Sequence, residues 1–141
     1  MILFRGAERQ CCLLSISMPA YRDFRLVLNS PRGLVAGSGI DLFEALAEVR
    51  RGLEPSGWGI AVHGSRRRAF ASGLMRDMHG ARRVYLCESG RWPRRGDLVD
   101  IFGEAPIDEI ATVDEQAAWL RTWLGARHAP NPEAQDSSRR L

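Results

Sequence analysis

Lysine is missing from this chain: all twenty basic residues among its 141 are arginine. Asparagine occurs only at Asn29 and Asn131, while alanine and glycine are plentiful. Arginine, alanine and glycine have GC-rich codons and lysine and asparagine do not, so the bias points to a GC-rich bacterial genome. The formal net charge of +3 and the pI near 9.1 are therefore partly codon usage. They argue for a polyanion partner only where the arginines cluster.

Cysteine is scarce too. Cys11 and Cys12 are adjacent and Cys87 stands alone. Neighbouring cysteines rarely pair, and an odd count builds no disulfide framework. No CxxC or Cys/His pair has zinc spacing, so three reduced thiols acting as small hydrophobes are expected, and no metal site. Long apolar runs are lacking as well. Cys11–Met18 is interrupted by Ser15 and Ser17 and falls short of the ~18 residues of a membrane span. Although Arg5 and Arg9 precede it, the run is short for a signal peptide, and Met18-Pro19-Ala20 is a poor cleavage site. Arg9-Gln10 before the cysteines likewise excludes a lipoprotein signal. A cytoplasmic protein with no membrane partner is the expectation. GxGxxG, GxxxxGK[ST], HExxH and EF-hand patterns do not occur, so no cofactor is expected.

What remains reads as one α+β domain over 11–128, with an uncertain segment at 1–10 and a disordered tail at 129–141. The tail carries Pro130, Pro132, two serines and no aromatic residue. Two helices are expected. The first spans Asp41 to Leu53, its apolar stripe formed by Leu42, Leu46, Val49 and Leu53, with Asp41 as cap and Pro55 as stop. The second starts at the capping-box pattern Thr112-Val113-Asp114-Glu115. Its stripe is Val113, Ala117, Leu120 and Leu124, widened by Trp119 and Trp123. Strands are expected at 12–18, 24–28, 58–62, 66–71, 83–87 and 98–102, with Gly64-Ser65 as a two-residue hairpin turn. The expected order is β-β-α-β-β-β-β-α: a mainly antiparallel sheet of about five or six strands with both helices on one face.

The richest polar stretch is His63–Gly80. Ser72 as nucleophile, His63 or His79 as base and Asp77 as orienter supply the residue types of a hydrolase triad. No GxSxG elbow or fixed spacing ties them together, and turn and capping roles explain them equally well. A metal site from His63, His79, Asp77 and Asp100 lacks any HxxxH or HxH pair to assemble it, and His128 lies beyond the second helix.

The arginines give the clearer pattern. Arg66, Arg67, Arg68, Arg76, Arg82, Arg83, Arg91, Arg94 and Arg95 fall within 66–95, where only Asp77 and Glu88 oppose them, a local charge of +7. Phe70, Tyr85 and Trp92 lie among them. Acids crowd the next stretch instead, at Asp97, Asp100, Glu104, Asp108, Glu109, Asp114 and Glu115. A chain so polarised can pair its two regions internally or offer them to partners. The first expectation for function is a non-catalytic binding module, of accessory or immunity type, presenting an arginine-rich face to an acidic protein. The alternatives are a nucleic-acid binder using the same face and an enzyme centred on 63–80. Four tryptophans, at 58, 92, 119 and 123, exceed what one thin helix layer readily hides. A homodimer is expected from them, through the second helix or an edge strand.

Glu54-Pro55-Ser56-Gly57-Trp58, Gly64-Ser65-Arg66-Arg67, Ser72–Met78, Asp97–Phe102 and Ala111-Thr112-Val113 together resemble a small bacterial family of uncharacterised proteins. The resemblance covers about 41–124. It implies an intact fold and a bacterial source, and carries no activity and no functional residue.

Overall fold

The computed structural model describes residues 1–126; 127–128 and the expected tail at 129–141 lie outside the described residues. Along the chain run β1 (Ile2–Arg5), β2 (Glu8–Cys11), β3 (Leu13–Ala20), β4 (Asp23–Ser30), β5 (Gly33–Gly39), α1 (Leu42–Leu53), β6 (Gly59–Ile60), β7 (Ala69–Phe70), α2 (Gly73–His79), β8 (Arg83–Leu86), β9 (Leu98–Asp100) and α3 (Val113–Gly125). The fold is α+β, and the strand pairs are antiparallel. The strands form three small sheets, ordered β2-β1-β6, β3-β4-β5 and β7-β8-β9, where a single larger sheet was expected.

The first helix forms as its sequence dictates. Asp41 caps it by accepting a hydrogen bond from the Glu44 amide at 2.8 Å, and Leu42, Leu46, Val49 and Leu53 are buried along one stripe. That stripe lies on β4 and β5, against Leu26 and Leu28. Strand β5 escapes a sequence search because it reads Gly-Leu-Val-Ala-Gly-Ser-Gly. Its glycines have a packing reason: a Cβ at Gly37 would stand 2.5 Å from the Ala45 carbonyl oxygen, and one at Gly39 2.8 Å from the Ala45 amide. Gly37 and Gly39 sit two apart on the same face of the strand, so the helix backbone settles directly on the sheet.

Three further differences have identifiable causes. The first ten residues are not loose: β1 and β2 form a hairpin around Gly6-Ala7, and Leu3 is wholly buried in the main core. Gly64-Ser65 makes no hairpin turn, because a Cβ at Gly64 would meet Ile101 at 2.4 Å; the backbone is pressed into the core as a 3-10 turn over His63–Ser65. Ser72 starts a short helix, its hydroxyl accepting from the Met75 amide at 3.2 Å, with Gly80 closing the helix in the left-handed region.

The second expected helix, α3, has its capping box: Glu115 N donates to Thr112 Oγ1 at 3.1 Å and Thr112 N to Glu115 Oε1 at 3.0 Å. Its buried face is turned from the expected one. Val113, Gln116 and Trp123 are buried and Leu120 partly so, while Ala117 and Leu124 face solvent. The helices do not share a sheet face either. Helix α1 covers β4–β5, whereas α3 closes a second cluster with Phe70, Tyr85 and Leu98 from the third sheet and Cys87 just past β8. Cys12 and Cys87 are buried and Cys11 is exposed. Burial pushes the Cys87 thiol up to about 12. No helix among the described residues is long and apolar enough to cross a membrane.

These faces set unequal costs for leucine truncation. Leu46→Ala is expected to destabilise by about 2–5 kcal/mol, as buried leucine truncations do. Leu124→Ala is expected to stay within about 0.5 kcal/mol, as exposed positions do. Chemical denaturation of both variants measures this, and equal losses would show that α3 buries its Leu124 face after all.

Candidate binding cleft beside the arginine triplet

Residues 64–66 are held by a buried polar network that starts on α1. Arg50, at the end of that helix, is almost wholly inside the protein and donates to Gln116 Oε1 at 2.8 Å and to the Ala111 carbonyl at 2.6 Å. The Gln116 amide nitrogen in turn donates to the Gly64 carbonyl at 2.9 Å and the Arg66 carbonyl at 2.8 Å. Burial lowers the Arg50 guanidinium to about 10, with Glu54 acting in the opposite direction. Glu54 also accepts from the Val113 amide at 2.9 Å, joining the end of α1 to the start of α3.

This network aims the triplet Arg66–Arg68. The side chain of Arg66 is largely buried; it pairs with Glu109 and donates through Nη1 to His63 Nδ1 at 3.1 Å. An accepting Nδ1 leaves the proton of a neutral imidazole on Nε2. Burial first, and the Arg66 guanidinium second, hold the His63 pKa below its ordinary value. Arg67, half exposed, reaches Glu115 at 3.5 Å. Arg68 lies 3.8 Å from Glu109 and donates to the Cys87 carbonyl at 3.0 Å. With Asp108, Glu109 and Trp119 these arginines line a cleft of about 330 Å³. Trp119 stacks on Trp123 at 6.1 Å, and Trp123 is fixed by Trp92 edge-on at 5.1 Å and by its own Nε1 donating to the Glu88 carbonyl at 2.8 Å. Trp119 therefore stands on a rigid aromatic floor. The Nε of Arg66 is buried without a hydrogen-bond partner among the described residues.

The other six arginines of the cluster do not join this cleft. Arg76 donates to Asp41, the wholly buried cap of α1, at 2.9 Å and lies over the Phe43 ring. Arg82 pairs with Asp100 at 3.2 Å, and Arg91 with Asp97 at 3.0 Å and Glu88 at 3.1 Å. Arg83, Arg94 and Arg95 are exposed and make no ion pair among the described residues. Five of the nine thus hold carboxylates from the acidic stretch 97–115. The charge polarity along the chain is to that extent closed within the fold.

Ser72, His63 and Asp77 each have a partner outside the expected triad. Ser72 Oγ caps α2, and His63 is engaged by Arg66 and pressed against Gly103. Asp77 pairs with Arg22 at 3.2 Å, and His79 is exposed two residues further on, where a helix turns it to a different side. Among the described residues no group of three or more His, Cys, Asp or Glu is placed to hold a metal ion. The cleft residues outside the arginine cluster, Trp119, Asp108 and Glu109, carry no local motif. Their signal is the match between a basic stretch and the acidic stretch after it.

No protein-family model matches the chain, and a search of curated proteins returns no match.

Gln116→Leu keeps most of the side-chain volume but strands the Gly64 and Arg66 carbonyls and one Arg50 donor. A loss of about 3 kcal/mol or more is expected from such unsatisfied buried groups, measured by urea denaturation. His63 adds a pH dependence. The folded imidazole resists protonation, whereas the unfolded one takes a proton near pH 6.5, so its contribution is whole above that pH and falls as the solution is acidified. Wild type is expected to lose stability between about pH 6.5 and 5, and His63→Asn to lose less over the same interval. Parallel slopes would place the imidazole in solvent.

Proposed function

We propose that the chain is a small non-catalytic binding module that takes an acidic segment of a partner protein into the cleft between Arg66–Arg68 and Trp119. The observation that carries this reading is the juxtaposition of three guanidinium groups and an indole around one cleft that Asp108 and Glu109 also line, with the buried Nε of Arg66 lacking an acceptor among the described residues. Arginine and tryptophan are the side chains that most often concentrate binding energy at protein interfaces. Guanidinium groups match carboxylates geometrically through paired N–H donors.

Glu109 and Glu115 act as built-in stand-ins for the partner. The Arg67–Glu115 pair is half exposed on both sides, and exposed pairs are worth only about 0–1 kcal/mol. A partner carboxylate therefore displaces it at little cost. The net gain then comes from the indole face, which favours a segment with an apolar side chain beside its acidic residues. Nucleic acid is a weaker fit. A phosphate backbone rewards a long run of uncompensated cations, and five of the nine arginines are already engaged by the chain's own carboxylates.

A panel of short peptides carrying paired Glu or Asp beside Leu or Phe tests the reading by calorimetric titration. Binding to wild type and at least a tenfold loss in Arg67→Glu with Arg68→Glu is the expected pattern. Equal binding by the charge-reversed variant removes the cleft from consideration. A single-stranded oligonucleotide run beside the peptides, retained at about 50 mM salt and lost steeply as salt rises, would put the polyanion reading in its place.

A further inference from the structure

Trp58 and Trp123 are buried, and Trp119 stacks on Trp123 with its other face lining the cleft. Among the described residues, further exposed apolar side chains lie on the β3-β4-β5 sheet. Ile16 (44% exposed) lies on the side of the sheet that faces α1, Leu13 (73%) and Leu34 (74%) lie on the outer side, and Met18 (55%) and Tyr21 project towards the β3–β4 turn. Strand β3 is one edge of that sheet and pairs only with β4 among the described residues. Cross-strand partners place Leu14 beside Leu28 and Ile16 beside Leu26, on the side that α1 covers. Helix α1, however, sits over β4 and β5, so β3 extends past it and its inward side chains stay partly in solvent. Helix α2 borders the same end of the sheet. Its Asp77 is paired with Arg22 and its Gly80 cap lies under the Phe24 ring, and its Leu74 and Met78 are also exposed.

Natural edge strands are guarded by charges, by proline, by bulges or by a covering element. Strand β3 reads Leu-Leu-Ser-Ile-Ser-Met-Pro-Ala, with no charge in eight residues. Among the described residues its guards are Pro19 and a register shift after Ser17, which act at one end and leave 13–17 open. The opposite edge, β5, is better defended, since Glu48 accepts from the Ser38 amide at 3.1 Å.

We propose that β3 pairs antiparallel with β3 of a second copy about a two-fold axis at Ile16, joining two three-stranded sheets into one of six strands. Several observations favour a second copy over a foreign strand. A two-fold pairing centred on Ile16 sets Ile16 opposite Ile16 on the inner side and Ser15 opposite Ser17 on the outer, with Leu14 meeting Met18 where the register shifts. Every cross-strand pair is then apolar with apolar or hydroxyl with hydroxyl. The chain as a whole carries +3, so two copies repel across most surfaces, and an uncharged strand is where they meet without that penalty. A stable interface needs about 800 Å² from each partner, more than one short ladder supplies. The exposed Tyr21, Leu74 and Met78 at the same end extend the contact beyond the strand.

Sedimentation equilibrium or light scattering at about 50 µM, a concentration at which a complex of micromolar Kd is populated, tests the pairing on the full chain. Wild type is expected at twice the 15.8 kDa chain mass. Ile16→Lys and Ile16→Glu are each expected at the single-chain mass, since like charges meet on the axis, and their equimolar mixture at twice that mass, since opposite charges then meet. Ser15→Lys with Ser17→Lys, both on the solvent face and outside the core, is a second variant whose folding is not in question, and it too is expected to halve the mass. Wild type at the single-chain mass overturns the proposal, as does a dimer that persists in the two lysine variants. A mixture that stays at the single-chain mass overturns the axis at Ile16. None of these outcomes bears on the Arg66–Trp119 cleft, which the peptide titrations test separately.

Discussion

A buried cation fixes how two of the three small sheets meet. Arg50 leaves solvent at the end of α1, where its guanidinium would be costly to bury without acceptors, and finds them in Gln116 and the Ala111 carbonyl. The other end of the Gln116 amide grips the 64–66 backbone. One chain of hydrogen bonds thus runs from the helix that covers β4–β5, through α3, to the segment that leads into the third sheet. None of these sheets has more than three strands, and sheets this small are marginal alone. They are stable as a set because α1, the 63–66 turn and α3 are held in one register, and the cleft beside Arg66 inherits its shape from that hold.

The arginine cluster shows the same economy in charge. A local +7 read along the chain suggests an external anion, yet the acidic stretch at 97–115 folds back over it. Strand β9 enters that stretch and pairs with β8, bringing Asp100 opposite Arg83 and within reach of Arg82. Two like-charged runs, each unfavourable in isolation, become mutual partners through this topology. In the function proposed above, the arginines that turn outward again are those the turn at 63–65 places beside an aromatic wall, by exchanging their own carboxylates for a partner's. Counting charge in a window measures potential for attraction, and the fold decides how much is left for others.

The helices were legible because their signals are local. Asp41 and Thr112 are caps whose partners lie three residues on, and the α1 stripe depends only on helical spacing. What was not legible depends on contacts between distant residues. Strand β5 looks like a glycine-rich loop until Ala45 is known to press on Gly37 and Gly39. Gly64 looks like a hairpin turn until Ile101 is known to fill the space where its side chain would be. The burial of α3 was misjudged by one position because Gln116, a polar residue, occupies the inward face. Hydrophobic periodicity assigns such a residue to solvent, although a buried amide with three hydrogen bonds is as settled inside as a leucine. The cleft was half visible: the triplet Arg66–Arg68 stood out, whereas Trp119 was read as excess surface.

Trp119 and strand β3 together show how apolar content misleads when it is counted and not placed. Large aromatic rings draw attention as interface candidates, yet their size lets one α3 side chain, Trp123, gather Phe70, Trp92 and Trp119 into a cluster of its own. The aliphatic residues of β3 draw none, since Leu14, Ile16 and Met18 alternate with Ser15 and Ser17 as in any half-buried strand. Whether such a strand is finished depends on what lies on its second edge and beyond the reach of the covering helix. Helix α1 is twelve residues long and settles closely on β5 because glycine lets it, which draws its footprint away from β3. The close packing that secures one side of the sheet is thus what leaves the other side uncovered.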